Sequence, residues 1–419
     1  MSVDERKLGV LLPEEFSLPD YGGGSISNMP ATVAALLHAD FTGLPPLRQE
    51  LWRPLAGGVK RVIVLIIDAW GWNLLEREQA RLNGFLKRAA VVGKLTSVFP
   101  STTVAALSTL WTGVAPASHG LVGLRLFLPE YAALTQMLKF TPTFGSYPDA
   151  LIKAGMDPAE FLHFPGFSEQ LATSGIRTHA FKGRDIVDSA LSKMHGRGVT
   201  GDHGISSAAD MFTQMRLLLE EQAGERLYIS AYWPLVDTLS HIYGWNQPSV
   251  AAELRATLTL LQSELLDPLS AAARSDTALF IMADHGQVLC PPEQQIYLED
   301  HPKLRRLLLM RPAGEPRTAY LYGRQGCREE IVAYINQHLS EAMVAIEAEK
   351  ALAAGLLGPE PHVSVADERV GDVIATMREG YILLTPAEKE RAHKMKGRHG
   401  GMTHDEMWVP WLGYRLDAW

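Results

Sequence analysis

An α/β fold with a mostly parallel sheet flanked by helices is what the 419-residue sequence predicts. Three features predict it. Apolar runs rich in β-branched residues recur along the chain, helical periodicity lies between them, and each run ends in or leads to an acidic residue or a histidine. The first run is residues 61–68, RVIVLIID, followed by a turn through Gly71. A continuous apolar run of this kind suits a strand covered on both faces, as in a parallel sheet. The second, residues 226–231 (RLYISA), leads into a loop carrying Asp237. The third, residues 278–283 (ALFIMA), ends at Asp284 and His285. Between the last two, residues 249–266 place apolar side chains at three- and four-residue steps, a helical pattern. Strands alternating with helices give a parallel sheet, and in such sheets ligands sit at the carboxyl ends of the strands. Asp after a strand is also an ordinary turn former or helix cap, so no one of these ends identifies a site by itself.

Composition narrows the function classes. Lys and Arg number 39 against 47 Asp and Glu, a net charge of −8 that argues against stable nucleic-acid binding through a basic face. Hydrophobic residues at 47% and charged residues at 21% exclude wholesale disorder. Cys290 and Cys327 are too few for a disulfide framework or a Cys-rich zinc site, and they suit a reducing compartment. No stretch reaches the roughly 18 to 20 apolar residues of a membrane span. The charged N-terminal segment lacks the apolar core and cleavage site of a signal peptide. The expectation is a soluble, cytoplasmic protein. Its domains are expected as a core over residues 1–301, a small α+β insertion or subdomain over 302–385, and a completion of the core over 386–419. Within the middle segment RTAYLYG reads as a short strand and residues 327–355 as two helices.

Residues 99–120, FPSTTVAALSTLWTGVAPASHG, carry the first chemical signal. Pro100 and Ser101 break the preceding strand, and Val104 to Thr112 reads as a helix ended by Gly113 and Pro116. Thr103 then sits at a helix N-terminus, where the dipole and free N–H groups favour an alkoxide and a bound phosphate. The plainer reading is that Ser101, Thr102 or Thr103 caps the helix. Asp237 and His241, four apart, can face one point from a single helical turn and offer a metal one oxygen and one nitrogen. Asp284 and His285 follow a strand directly. His399 lies in GRHGGM, where glycines let the backbone bring it close to a buried ion, while His393 and His404 read as exposed. Taken singly, each piece has an ordinary structural explanation. Together, three carboxylates, three imidazoles and a hydroxyl suit zinc, manganese or iron, and seven ligands suffice for two ions roughly 4 Å apart that clamp a displacement at phosphorus.

This set, in this order, resembles the alkaline phosphatase superfamily, and most closely its type I phosphodiesterase/nucleotide pyrophosphatase branch, over residues 21–412. The strongest match is FPSTT…TGVAPASHG, which the resemblance reads as running from an aromatic-Pro pair through the nucleophilic threonine to a TG…P…HG ending. It implies an alkaline-phosphatase-like fold, with Thr103 as nucleophile and Thr102 as the neighbouring alternative. It also implies one ion held by Asp68, Thr103, Asp284 and His285, a second held by Asp237, His241 and His399, and two divalent metals, zinc foremost with manganese or iron as alternatives. A small phosphate-ester or nucleotide substrate would react through a phospho-threonine intermediate. The sequence departs from the branch where the branch carries asparagines, since those regions read Val104, Ala106 and Leu124. Arg125, next to the gap, is the candidate to contact charge on the transferred phosphoryl group through its fork, a surface arginine being the alternative. The sulfatase branch needs a C/S-x-P-x-R motif that is absent here. The phosphoglycerate mutase branch needs an insertion that the 35 residues (103 − 68) between Asp68 and Thr103 leave no room for. The rival readings are a phosphomonoesterase or phosphonate hydrolase with the same metals, and a non-catalytic metal-stabilised binding protein.

Lesser features carry less. Tyr21-Gly-Gly-Gly-Ser25 could cradle a phosphate or simply turn the chain into a helix. Lys394, Lys396 and Arg398 could attract an anion or form a solvated loop. Phe164 and Phe167 could stack a base or fill the core.

Overall fold

A computed structural model describes residues 2–145 and 147–419 of the chain. Its centre is a seven-stranded sheet in the order Val91–Thr96, Trp408–Arg415, Thr277–Met282, Arg61–Ile67, Leu227–Trp233, Arg177–Gly183, Gly201–Ile205. Trp408–Arg415 runs antiparallel to both its neighbours, and the other adjacent pairs are parallel. The expected mostly parallel sheet is therefore present, and helices such as Trp72–Leu86, Ala208–Glu221 and Pro248–Leu260 pack against it.

The centre of the sheet follows from the sequence. All seven residues of Arg61–Ile67 are buried, because strands lie on both sides and helices cover both faces. The one charge in this run, Arg61, pairs with Asp276 at 2.6 Å at the amino end of the sheet, away from the functional edge. Register sets the other edge. Ile67 lies opposite Trp233 and Ile66 opposite Met282, so the chain leaves three neighbouring strands at one level, just before Asp68, Asp237 and Asp284.

A second, antiparallel sheet runs in the order Met343–Glu347, Val373–Met377, Thr318–Leu321, Ala313–Gly314, Arg125–Leu128, Ala133–Gln136, Thr141–Pro142. Strands from the 302–385 segment thus pair with strands that follow the helix Thr103–Thr112. The two helices expected over residues 327–355 are a helix at Arg328–His338, a strand at Met343–Glu347 and a helix at Ala348–Ala353. A run of MVAIE satisfies either periodicity locally. Pairing with Val373–Met377 over five residues, with Met343, Ala345 and Ile346 in the core, selects the strand.

Two buried groups tie the fold to the site. Arg317 holds Glu406 through a fork, Nε to Oε1 at 2.9 Å and Nη2 to Oε2 at 2.7 Å, with both side chains fully buried. Glu406 also accepts the N–H of Gly401 at 2.8 Å and the hydroxyl of Thr403 at 2.6 Å, fixing the loop that carries His399. Glu406→Ala leaves the Arg317 cation buried and unpaired, with an expected loss of about 3–5 kcal/mol of stability. A thermal melt within a degree of the parent would contradict this.

The second group is His119, in the PASHG stretch. Its Nδ1 accepts the N–H of Leu121 at 3.1 Å, so Nε2–H donates to Thr109 Oγ1 at 3.0 Å. Burial pushes the imidazole down to about 3, so it stays neutral and locks the chain as it leaves the helix Thr103–Thr112. The Gly-Gly-Gly stretch likewise is a turn. The N–H groups of Gly22, Gly23 and Gly24 all bond Asp20, and Ser25 caps the turn that opens the helix Met29–Leu36. Phe167 is core, edge-on to Phe41 and Tyr228. Among the described residues no helix is long and apolar enough to cross a membrane.

Candidate active site

Six of the seven expected ligands, with the nucleophile candidate beside them, come from four segments at the carboxyl edge of the sheet and from one ribbon. Asp68 follows Arg61–Ile67 directly, and Ala69 adopts a positive φ of 58° to turn the chain away. Such a conformation in a non-glycine residue is uncommon and concentrates at functional sites. Asp284 and His285 follow the strand Thr277–Met282. Gly286 comes next because a Cβ there would lie 2.0 Å from the carbonyl oxygen of Asp405. Asp237 and His241 stand one turn apart on the helix Leu235–Tyr243, which follows Leu227–Trp233. Thr103 is the first residue of the helix Thr103–Thr112. His399 arrives from a different direction, on a two-stranded ribbon pairing Val288 with Arg398 and Leu289 with Gly397.

These residues converge. His285 Nε2 lies 3.1 Å from Thr103 Oγ1, 3.4 Å from Asp68 Oδ1 and 3.4 Å from Asp284 Oδ2. Asp237 Oδ1 lies 3.3 Å from His241 Nε2 and 3.7 Å from His399 Nε2. The rings of His285 and His399 stack with centroids 3.8 Å apart, joining the two groups into one cluster. Possible ligand atoms of Asp237, His241 and His399 all lie within 4.8 Å of one another, and so do those of Asp68, Asp237 and His285. Asp237 thus stands between the two groups.

The imidazoles share one arrangement. Nδ1 of His285 faces the carbonyl of Gly286 at 3.0 Å, Nδ1 of His241 that of Gly397 at 2.8 Å, and Nδ1 of His399 that of Ser101 at 3.2 Å. A carbonyl can only accept, so each Nδ1 carries the proton and each Nε2 turns a free lone pair to the centre. Metal-binding histidines are oriented in this way. The carboxylates are short of partners. Asp68 Oδ1 and Asp284 Oδ2 are buried with no hydrogen bond at all, which buried polar atoms rarely tolerate. Burial, then the charges of Asp284 and Asp237, holds the Asp68 carboxyl well above the usual range. Burial, then His285 and His241, holds His399 well below its usual value. The cluster is under-compensated as it stands, and a divalent cation among these donors would satisfy both orphaned oxygens and all three lone pairs.

Three supporting residues were not legible in the sequence. Tyr232 donates its hydroxyl to Asp68 Oδ2. Gln287 donates to Asp237 Oδ1 at 2.6 Å. Glu315 is buried, its Oε1 accepts the N–H of Leu124 at 3.2 Å, and its carboxyl is pushed up to about 7, chiefly by burial. The only available signal for Tyr232 and Gln287 was their place at strand ends next to expected ligands. Arg125 lies on the strand Arg125–Leu128, with Nη1 2.6 Å from Glu388 Oε1 and Nε donating to the carbonyl of Gly314 at 3.2 Å. His393, His404, Lys394 and Lys396 are exposed.

A cavity of about 520 Å³ opens onto Asp68, Thr103 and Asp237. Its walls include Leu107, Trp111, Leu138 and Leu235, and among the described residues Lys182 is the one lysine or arginine lining it. Lys182 Nζ lies 3.0 Å from Asp202 Oδ2.

A family model described as type I phosphodiesterase / nucleotide pyrophosphatase matches residues 62–402. No curated protein matches. Among solved structures, the chain is similar to murine ectonucleotide pyrophosphatase/phosphodiesterase 5, at 18% identity over 85% of this chain and 89% of that one, with a TM-score of 0.61. It is similar also to an inactive threonine-to-alanine variant of that protein in complex with AMP, at 18% identity over 85% and 90%, with a TM-score of 0.62. Phosphonoacetate hydrolase from Sinorhizobium meliloti in complex with phosphonoformate is similar at 20% identity over 85% and 93%, with a TM-score of 0.59. At these identities the likeness concerns the fold.

Proposed function

The chain belongs to the type I phosphodiesterase/nucleotide pyrophosphatase family, and from that premise we propose that it is a two-metal hydrolase acting on phosphodiesters or nucleotide pyrophosphates through Thr103. The observation that carries this reading is the free Nε2 lone pairs and orphaned carboxylate oxygens gathered around the Thr103 hydroxyl. Asp68, Thr103, Asp284 and His285 would hold one divalent ion, and Asp237, His241 and His399 the other. Mixed nitrogen and oxygen donors favour zinc, with manganese or iron close behind. Bound there, the ions would supply Lewis-acid polarisation and offset the charge of three carboxylates.

The chain's own groups do the rest. Thr103 Oγ1 stands 3.1 Å from His285 Nε2, beside the ligand cluster, and the first-turn N–H groups of its helix face the incoming anion. Thr103 Oγ1 attacks phosphorus. The Oγ1–P bond forms as the bond to the leaving oxygen breaks, and the alcohol or nucleotide departs with the proton that Thr103 gives up. Water then attacks the phospho-threonine, releasing a phosphate monoester and returning a proton to Thr103 Oγ1. Tyr232 and Gln287 hold Asp68 and Asp237 in place. The cavity receives the substituent that stays on phosphorus. Lys182, already paired with Asp202, is poorly placed to receive a second carboxylate, which favours an ester over a carboxylate-bearing phosphonate. The two free cysteines, Cys290 and Cys327, support a reducing compartment such as the cytoplasm.

Paired initial rates on bis(p-nitrophenyl) phosphate and p-nitrophenyl phosphate, with zinc or manganese supplied, test this reading. The diester is expected to turn over faster. A faster monoester would give the phosphomonoesterase reading the lead.

A further inference from the structure

Sheet register puts Tyr232 against a candidate ligand. Tyr232 lies opposite Ile66 on the neighbouring strand, and Asp68 follows Ile66 by two residues. Ile66, Asp68 and Tyr232 line the same cavity as Thr103. From there the Tyr232 hydroxyl donates to Asp68 Oδ2. Asp284 is held in a similar way, its Oδ1 accepting the N–H of Ala69 at 3.2 Å and of His285 at 3.0 Å. Each carboxylate therefore has one oxygen taken up by the protein. The other oxygen of each, Asp68 Oδ1 and Asp284 Oδ2, is buried without a hydrogen-bond partner among the described residues. Both lie 3.4 Å from His285 Nε2, and Thr103 Oγ1 lies 3.1 Å from the same nitrogen. Donors around a tetrahedral zinc ion, at bond lengths of about 2.0–2.1 Å, stand about 3.3 Å apart.

We propose that Tyr232 is a positioning residue that confines Asp68 to ligation through Oδ1 alone, and so makes the ion site beside Thr103 a four-donor site selective for zinc over manganese. The inference rests on the two-metal reading above and deepens it. Two carboxylate oxygens, one imidazole nitrogen and the Thr103 oxygen, each offered singly, match zinc's preference for four-coordination. Manganese suits a larger, octahedral set of oxygen donors. Asp68 Oδ2 is the oxygen that would enlarge the set, and the Tyr232 hydroxyl holds it. The matching oxygen of Asp284 is held by backbone N–H groups, which side-chain substitution does not remove. Donor number at this ion is thus set by one side-chain hydroxyl. Partners of this kind orient the ligand they touch and tune the metal through it.

Tyr232→Phe tests this, because it keeps the ring that lines the cavity and removes the hydroxyl. Chelated parent and variant are titrated with zinc, and separately with manganese, in competition with a chromophoric chelator. Each is also loaded with cobalt(II), whose visible absorption is intense in four-coordinate sites and weak at higher coordination. In the variant, one of the two zinc equivalents is expected to bind about 10- to 100-fold more weakly, the loss typical of removing a ligand's supporting partner. Manganese affinity should hold or rise, and the cobalt absorption should weaken. Together these results support the proposal. Parent affinities and a parent cobalt spectrum in the variant overturn it, even if the metal-free melting temperature falls, since that pattern belongs to a purely structural hydrogen bond. Zinc and manganese weakened alike overturn the selectivity. If the variant does not fold, the parent cobalt spectrum decides, and weak absorption with both ions bound overturns the four-donor site. Parent protein that binds fewer than two equivalents overturns the two-metal reading and this inference with it. Parent protein that binds two equivalents but hydrolyses neither ester overturns the hydrolase reading alone, while the metal readouts still decide this inference.

Discussion

Thr103→Ala is expected to lower kcat on a diester by at least ~10³-fold, the loss typical of removing a covalent nucleophile. Thr103 is only partly buried at the start of its helix, and its hydroxyl bonds only His285, so the fold should survive the change. The remaining six ligands should still bind metal. The expected result is a folded, metal-loaded and inactive protein. Thr102→Ala is the comparison, with a smaller loss expected, because Thr102 adjoins Thr103 and its side chain makes no capping bond to the helix. A full loss in Thr102→Ala with activity kept in Thr103→Ala would move the nucleophile by one residue. Loss of bound metal along with activity would make Thr103 chiefly a ligand.

Removing metal is the second large effect. Chelation should extinguish hydrolysis, and restoring a divalent ion should bring it back. It should also lower the melting temperature, since ligand at about a hundred times its Kd contributes about 2.7 kcal/mol to stability. The pH dependence has a definite sign. In metal-free protein the Asp68 carboxyl holds its proton more tightly folded than unfolded, because burial and two nearby carboxylates raise it. Its cost to stability therefore grows as pH rises above the unfolded value near 3.8 and is relieved by acid. His399 is depressed when folded, so the stability its neutral form contributes is lost as pH falls below the unfolded value of 6.5. Metal needs the carboxylate and the neutral imidazole together, so protons compete with it at both groups. The melting-temperature gap between loaded and chelated protein should widen from pH 5 to pH 8. A constant gap would separate these two groups from the metal.

The candidate ligand residues were legible in the sequence because most of them sit at strand ends. Asp68, Asp237, Asp284 and His285 each lie within four residues of a buried apolar strand, and parallel register brings such ends to one level. His399 was legible only through its glycines and the resemblance, because the ribbon that delivers it pairs residues 288–289 with 397–398. Supporting residues were harder. Glu315 in GEPR looks like an exposed turn, and its burial arises from packing against Leu124 and Gly400, which are far apart in the chain. Arg125 shows the reverse: its proximity to the nucleophile stretch was visible, but its partner Glu388 lies 263 positions along the chain. The strand Met343–Glu347 was missed for a similar reason, since a five-residue apolar run takes its conformation from the strand it meets.

The most direct test of a two-metal hydrolase is stepwise reconstitution. Chelated protein is titrated with zinc, and hydrolysis of bis(p-nitrophenyl) phosphate is followed together with the melting temperature. The account predicts that activity appears with metal and reaches its plateau only when two equivalents are bound. Metal that raises the melting temperature without producing hydrolysis of this or the monoester substrate would contradict it and leave a metal-stabilised binding protein.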